Sequence, residues 1–272
     1  MSETDKELER GRYDARARAE LERPGAQVQL VPGSQLVPAY LRSPYLAYEA
    51  HIARLLRPAH RVLELGAGAG MHTLALLQSG ARVLASDISA PSLALLRTRF
   101  AGFGHQLETQ VADMEQAPFP DASFDVVACA GSLSYGAPEL VDAEIHRLLV
   151  PGGMLLCVDS LNHNPVYKFN RWLHHVRGDR SASTLKRMPD LARISSLQRG
   201  FDSIDLDFFG SISYAMPGVA RFSGENAAQI LSDRFDRAIG VKRSAFKFVL
   251  VAQGYRPTGH HPDTIHPSPE FA

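Results

Sequence analysis

The residues with chemistry to offer stand where apolar runs end. Val62-Leu63-Glu64-Leu65-Gly66-Ala67-Gly68-Ala69-Gly70 is a strand-like run that passes directly into glycines. Glycine lets a backbone turn sharply and approach a ligand where a Cβ would collide. Glu64 puts a carboxylate two residues before the first of them. Asp87 closes the next apolar run, where a carboxylate can accept bonds from both hydroxyls of a ribose. Asp113 follows a third run and precedes Met114, a pairing suited to reading an adenine amino group and its ring. A second, more polar set comes later. It comprises Ser132-Leu133-Ser134-Tyr135 and Asp159-Ser160-Leu161-Asn162-His163-Asn164-Pro165, then Tyr167, Asn170, Arg171, Trp172, His174 and His175.

The elements that must position these residues follow from periodicity. Residues 4–22 are expected to be helical and 45–56 to form an amphipathic helix ending before Pro58. From Arg61 onward, apolar runs at 62–65, 82–86, 106–111, 124–130 and 154–159 alternate with helical patterns at 71–78, 91–100 and 140–149. Ser89 can cap the second of these helices, with Pro91 in its first turn. Pro151-Gly152-Gly153 is expected to stop the third. Strands separated by crossover helices imply a mostly parallel sheet covered on both faces. Two late strands, 203–210 and 245–252, flank a helix at 225–239. The expected organisation is an N-terminal helical lid at 1–57, a core at 58–160, a substrate cap inserted at 161–200, the last strands at 201–255 and a disordered tail at 256–272.

A glycine loop alone serves NAD, FAD and S-adenosylmethionine alike. The third-strand acid and the Pro-Gly-Gly before the fifth strand argue against NAD. The run Pro118-Phe119-Pro120-Asp121-Ala122-Ser123-Phe124-Asp125 enters the fourth strand. In order and spacing, residues 60–160 resemble the class I S-adenosylmethionine-dependent methyltransferases. The resemblance implies an α/β, Rossmann-like doubly wound sheet, mostly parallel and seven-stranded, with an antiparallel last strand, N-terminal helices and an inserted cap. It implies S-adenosylmethionine as cofactor. Glu64 and the backbone of Gly66, Ala67 and Gly68 would hold the methionine end, with Ala130 and Gly131 facing it. Asp87 would bind the ribose with Ile88 against the adenine, while Asp113 takes the amino group and Met114 lines the ring. Residues 160–167 and 183–189 are further similar to methyltransferase-like proteins of polysaccharide or natural-product pathways.

Methyl transfer from a sulfonium asks the protein chiefly to align a nucleophile behind an activated carbon. A base helps when the nucleophile is a hydroxyl. His163 is the expected base, because imidazole titrates near neutrality. Asp159 is expected to orient it or to act directly, and Tyr135 to close over the acceptor. Tyr45, Asn162 and Arg171 are the expected substrate contacts, with Tyr40 and Tyr48 completing a lid and His72 near the cofactor carboxylate. Each has a plainer reading: a histidine bonding its own loop, an aspartate capping a helix, tyrosines that merely pack. The basic stretch 168–199 is either a solvated face or a grip for acceptor phosphates. The expected reaction is methylation of a hydroxyl on a small polar metabolite, a sugar or nucleotide sugar among them. The alternative keeps the cofactor but attacks the γ-carbon of its methionine part, by cyclisation or aminocarboxypropyl transfer, and releases methylthioadenosine.

Composition narrows the partners. Across 272 residues, 29 Lys and Arg balance 29 Asp and Glu, so no long-range field draws the chain to nucleic acid or an anionic membrane. A small-molecule substrate, with neither nucleic acid nor membrane as partner, is the expectation. No apolar stretch reaches spanning length, and the charged N-terminus lacks a signal core, which points to the cytoplasm. Cys129 and Cys157 lie in apolar runs and are expected to be buried thiols. His174 and His175 would diverge on a helix without a carboxylate cluster beside them, so no metal is expected.

Overall fold

The computed structural model describes residues 3–22, 30–168, 184, 186–239 and 243–257. Its strands are β1 (Arg61–Leu65), β2 (Arg82–Asp87), β3 (Leu107–Val111), β4 (Phe124–Ala130), β5 (Leu149–Ser160), β6 (Phe201–Phe209) and β7 (Lys247–Tyr255). They form one seven-stranded sheet in the order β3-β2-β1-β4-β5-β7-β6. Strands β1 to β5 are mutually parallel, and β7 runs against both β5 and β6. The expected reversed strand is therefore β7. It lies one position inside the edge, which β6 occupies.

The helices are α1 (Glu3–Leu21), α2 (Ser43–Leu55), α3 (Thr73–Gln78), α4 (Ala90–Arg99), α5 (Pro138–Leu148), α6 (Leu191–Leu197), α7 (Met216–Ser223) and α8 (Glu225–Ile239). Successive strand residues point to opposite faces, and both faces are covered. Leu63, Leu65, Val127, Cys129 and Leu250 pack with Ile145 of α5 and Leu197 of α6. Val62, Val83, Val126, Leu156 and Val249 pack with Tyr48 and Ile52 of α2, Leu76 of α3 and Leu96 of α4. This two-sided burial explains why the central strands read as continuous apolar runs. The edge strand β6 instead exposes Asp202, Asp205 and Asp207, charges that discourage pairing with another chain. Cys129 and Cys157 are free and buried, as expected.

Some boundaries differ from the sequence reading. Strand β5 begins at Leu149, so Pro151-Gly152-Gly153 lies inside it rather than before it. There the register jumps from Phe124↔Leu149 to Val126↔Met154, and Gly152 takes φ 82°, which marks a bulge. Helices α6 and α7 have seven and eight residues, too few for a helical period to show in the sequence. Asp190 caps α6 by accepting from the Arg193 amide at 2.8 Å. Within the expected cap, 169–183 and 185 lie outside the described residues, as do 258–272 of the expected tail. Among the described residues, no helix is long and apolar enough to cross a membrane.

Candidate active site

In an open α/β sheet, ligands bind beyond the carboxyl ends of the strands, where the strand order reverses. Here that point lies between β1 and β4. The glycine turn after β1 opens it. Gly66 takes φ 70°, and a Cβ there would lie 2.5 Å from the Ser132 Cβ. Gly68 takes φ 55°, and a Cβ there would meet nothing within 4 Å, so its outer side faces open space. The turn is tied to β2: the Gly66 and Ala67 amides donate to the Ser86 carbonyl at 2.9 and 3.0 Å. The Gly68 amide donates to Asp87 Oδ2 at 2.8 Å.

Around this turn is a cavity of about 620 Å³. All nine residues expected to hold the cofactor line it: Glu64, Gly66, Ala67, Gly68, Asp87, Ile88, Asp113, Met114 and Ala130. Glu64 is 2% exposed and accepts a bond from the Thr73 hydroxyl at 2.6 Å. Burial pushes its carboxyl up to about 7 against that hydrogen bond, with Asp87 adding to the rise. Burial likewise raises Asp87, opposed by the Ser89 and Gly68 amides. Asp113 Oδ1 accepts from the Glu115 amide at 2.9 Å, and Oδ2 is bonded to Lys6.

Helix α1 roofs the cavity through polar links to four separate places. Lys6 pairs with Asp113 and, at 2.7 Å, with Glu115. The Ser89 hydroxyl donates to Asp14 at 2.6 Å, and Arg99 pairs with Glu20. The Tyr13 hydroxyl donates to that of Tyr135 at 2.6 Å. Burial and the neighbouring Tyr135 push the Tyr13 hydroxyl well above its ordinary value, so it keeps its proton.

The acceptor-side expectations divide. Tyr135, Asp159 and Tyr45 line the cavity. His163 and Asn162 do not. His163 Nε2 accepts the Leu191 amide at 3.1 Å and so secures the start of α6, while the Asn162 amide donates to the Pro189 carbonyl at 2.8 Å. Both are turned to loop architecture because α6 docks against this part of the expected cap. Arg171 lies outside the described residues, as do His174 and His175. Asp159 is 3% exposed, with Oδ2 accepting from the Leu133 amide at 2.9 Å and Oδ1 from its neighbour Ser160 at 2.6 Å. Burial raises its pKa, opposed by Lys247, those two amides and Arg193.

Three lining groups were not expected as acceptor contacts. Ser160 and Lys247 face the cavity, the latter 8% exposed with Nζ donating to the Ser160 hydroxyl at 3.2 Å. The lone lysine opening the run Lys247-Phe248-Val249-Leu250-Val251-Ala252 was the available signal. His72 also lines the cavity and stacks on Tyr45 with ring centroids 5.0 Å apart. Burial, with Lys247 nearby, holds its imidazole down to about 4, so it is neutral.

Two arginines of the basic stretch are tied to acids. Arg193, 7% exposed, pairs with Asp142 at 3.0 Å and donates to the Leu133 carbonyl at 2.7 Å. Arg187 pairs with Asp5 at 3.8 Å. Among the described residues, one grouping has metal-ligand character, His51, Asp205 and Asp207, and it lies off the cavity. Arg54 already occupies it, 3.5 Å from Asp205 and bonded to His51 Nδ1 at 2.8 Å.

The chain matches known proteins over its core. A methyltransferase domain family matches residues 63–157. The demethylmenaquinone methyltransferase of Clavibacter sepedonicus is 39% identical over 101 residues, 35% of this chain and 39% of that enzyme. The sterol 4-C-methyltransferase of Caenorhabditis elegans is 32% identical over 136 residues, 46% of this chain and 40% of that enzyme. The chain thus matches well under half the length of either relative. The geranyl diphosphate C-methyltransferase of Streptomyces coelicolor A3(2), solved with S-adenosyl-L-homocysteine, shares the fold at TM-score 0.54 and 17% identity, over 79% of each chain. Residues 63–157 thus carry a methyltransferase domain, and the strand order, the glycine turn and the acids at the ends of β1, β2 and β3 agree with the resemblance to class I S-adenosylmethionine-dependent methyltransferases.

Proposed function

We propose that this chain transfers the methyl group of S-adenosylmethionine to a hydroxyl of a small molecule bound at the β5–β7 end of the cavity. The observation that carries the reading is one continuous cavity. Glu64, Asp87 and Asp113 stand at one end, and Tyr135, Asp159, Ser160 and Tyr45 line it further along. The residues present fit the cofactor. Gly68 leaves open the space a backbone-hugging ligand needs, and three carboxylates offer acceptors to its amino and hydroxyl groups. When bound, S-adenosylmethionine supplies a methyl group already activated on a sulfonium.

The chain's residues then have separable tasks. Asp87 and Asp113 hold the ribose and adenine ends, and Glu64 with the glycine turn holds the methionine end. Helix α1 excludes water from above through Lys6, Tyr13 and Asp14, which strengthens polar contacts beneath it. Asp159, fixed by two amides, faces the acceptor hydroxyl and receives its proton as the oxygen takes the methyl group. Tyr135 and Tyr45 wall the acceptor. Curated relatives are named for quinone and sterol substrates, and Arg187 and Arg193 are tied to acids, so these observations lend no support to a sugar phosphate.

The test is to incubate the protein with S-adenosylmethionine and a panel of phenols, quinols, sterols, hydroxy acids and sugars, and to identify the nucleoside product by mass spectrometry. S-adenosylhomocysteine formed only with an acceptor supports methyl transfer and names the acceptor class. Methylthioadenosine above the no-enzyme background overturns the reading in favour of γ-carbon chemistry.

A further inference from the structure

A charge buried in protein is ordinarily paired, because leaving it without an opposite charge forfeits its hydration for nothing. Among the described residues, four cations line the cavity, and three are accounted for. Lys6 pairs with Asp113 and Glu115, Arg99 pairs with Glu20, and Arg16 is exposed to solvent. Lys247 is different. It is 8% exposed, and among the described residues the contacts of its ammonium are the Ser160 hydroxyl at 3.2 Å and the rings of Tyr45 and Phe246, with centroids 5.2 and 5.4 Å away. Asp159 is close enough to feel this charge, yet its oxygens are held by the Leu133 and Ser160 amides. Beside Lys247, His72 keeps its buried Nδ1 without a hydrogen-bond partner. The acceptor end of the cavity thus offers a desolvated cation without a direct ion-pair partner among the described residues, beside a carboxylate whose charge it favours.

Position assigns the cation to the acceptor. Lys247 opens β7, in register with Ser160 of β5. Four strand spacings, about 19 Å, separate β7 from β2, where Asp87 stands. The glycine turn and Gly131 occupy β1 and β4, so β5 and β7 lie beyond the cofactor's own strands.

We propose that Lys247 selects the acceptor, and that the acceptor is a hydroxy acid whose carboxylate binds Lys247 while its hydroxyl faces Asp159. This rests on the methyl-transfer reading above and names the substrate class for it.

The test uses the full chain saturated with S-adenosylhomocysteine. 4-Hydroxybenzoate and the neutral 4-hydroxybenzyl alcohol are titrated calorimetrically into the wild type, Lys247→Met and Lys247→Arg, after circular dichroism establishes that each variant is folded. The acid is expected to bind the wild type more tightly than the alcohol. Lys247→Met should weaken the acid by about thirtyfold or more, as for loss of one partner of a buried charge pair, and leave the alcohol unchanged. Lys247→Arg, which keeps the charge, should retain most of the preference for the acid. The proposal is overturned if the wild type does not prefer the acid. It is also overturned if Lys247→Met weakens S-adenosylhomocysteine itself by about tenfold, which would give the lysine to the cofactor's carboxylate. Failure of the wild type to bind S-adenosylhomocysteine at all would instead sink the methyl-transfer reading.

Discussion

At the scale of single residues, the site depends on carboxylates kept out of water. Asp87 already holds two backbone amides, those of Gly68 and Ser89, both at 2.8 Å. Asp87→Ala therefore removes the proposed ribose acceptor and unties the glycine turn together. S-adenosylhomocysteine affinity should fall by about 1–3 kcal/mol by calorimetry, the range for stranding polar groups. Unchanged affinity would take Asp87 out of the site. Glu64 carries a pH signature. Its folded pKa of about 7 lies above the ordinary carboxylate value, so the folded chain binds more protons than the unfolded one between these limits. Stability from this group is then present at low pH and lost as pH rises from about 4.5 through about 7. Urea titrations at pH 5 to 8 should show the wild type losing stability relative to Glu64→Gln across this range and levelling off above it. Equal pH slopes in the two proteins would mean that Glu64 is not protonated in the fold. Both acids were legible in the sequence because each ends an apolar run next to a glycine or a cap. Lys247 was not, since only the neighbours of β7 decide which way its side chain points.

At the scale of elements, two helices decide how the site is closed. Lys6 of α1 is largely buried, its side chain 14% exposed, and it holds two acids at the end of β3. Burial alone would raise Glu115, but Lys6 and the Ala137 amide hold it well below the usual carboxylate range. Lys6→Met should speed amide hydrogen exchange throughout α1 and weaken S-adenosylhomocysteine by roughly 1 kcal/mol, the upper range for a partly exposed ion pair. Exchange in α1 that stays as slow as in the wild type would show that its apolar contacts, and not Lys6, hold the roof. Helix α6 depends on Arg193, which reaches Asp142 of α5 and the carbonyl of Leu133. Arg193→Ala leaves Asp142 buried without its partner and should cost about 3–5 kcal/mol of stability in denaturant unfolding. The double change Arg193→Met with Asp142→Leu should recover most of that loss, since it removes the stranded charge as well. The two expected contacts that missed the cavity, His163 and Asn162, missed it for the same reason: the docking of α6 turns their loop into a support.

At the scale of the whole molecule, the order β3-β2-β1-β4-β5-β7-β6 sets which residues can meet. It brings the ends of β1, β2, β3 and β4 into one row for the proposed cofactor, and the end of β5 and the start of β7 into another for the acceptor. The first row was open to sequence reading because each of its residues lies within a few positions of the strand that carries it. Glycines, acids and apolar runs are local signals, and local backbone chemistry is enough to place them. By themselves they determined the parallel core, the glycine turn and the nine residues that line the proposed cofactor end. Only the tertiary structure decided that α1 closes over Asp113 and Glu115, that α6 takes His163 for its own support, and that Lys247 reaches Ser160 across a sequence distance of 87 residues. Those contacts join segments far apart in the chain. Their partners are chosen by packing and by the pairing of buried charges, and neither leaves a local pattern to read.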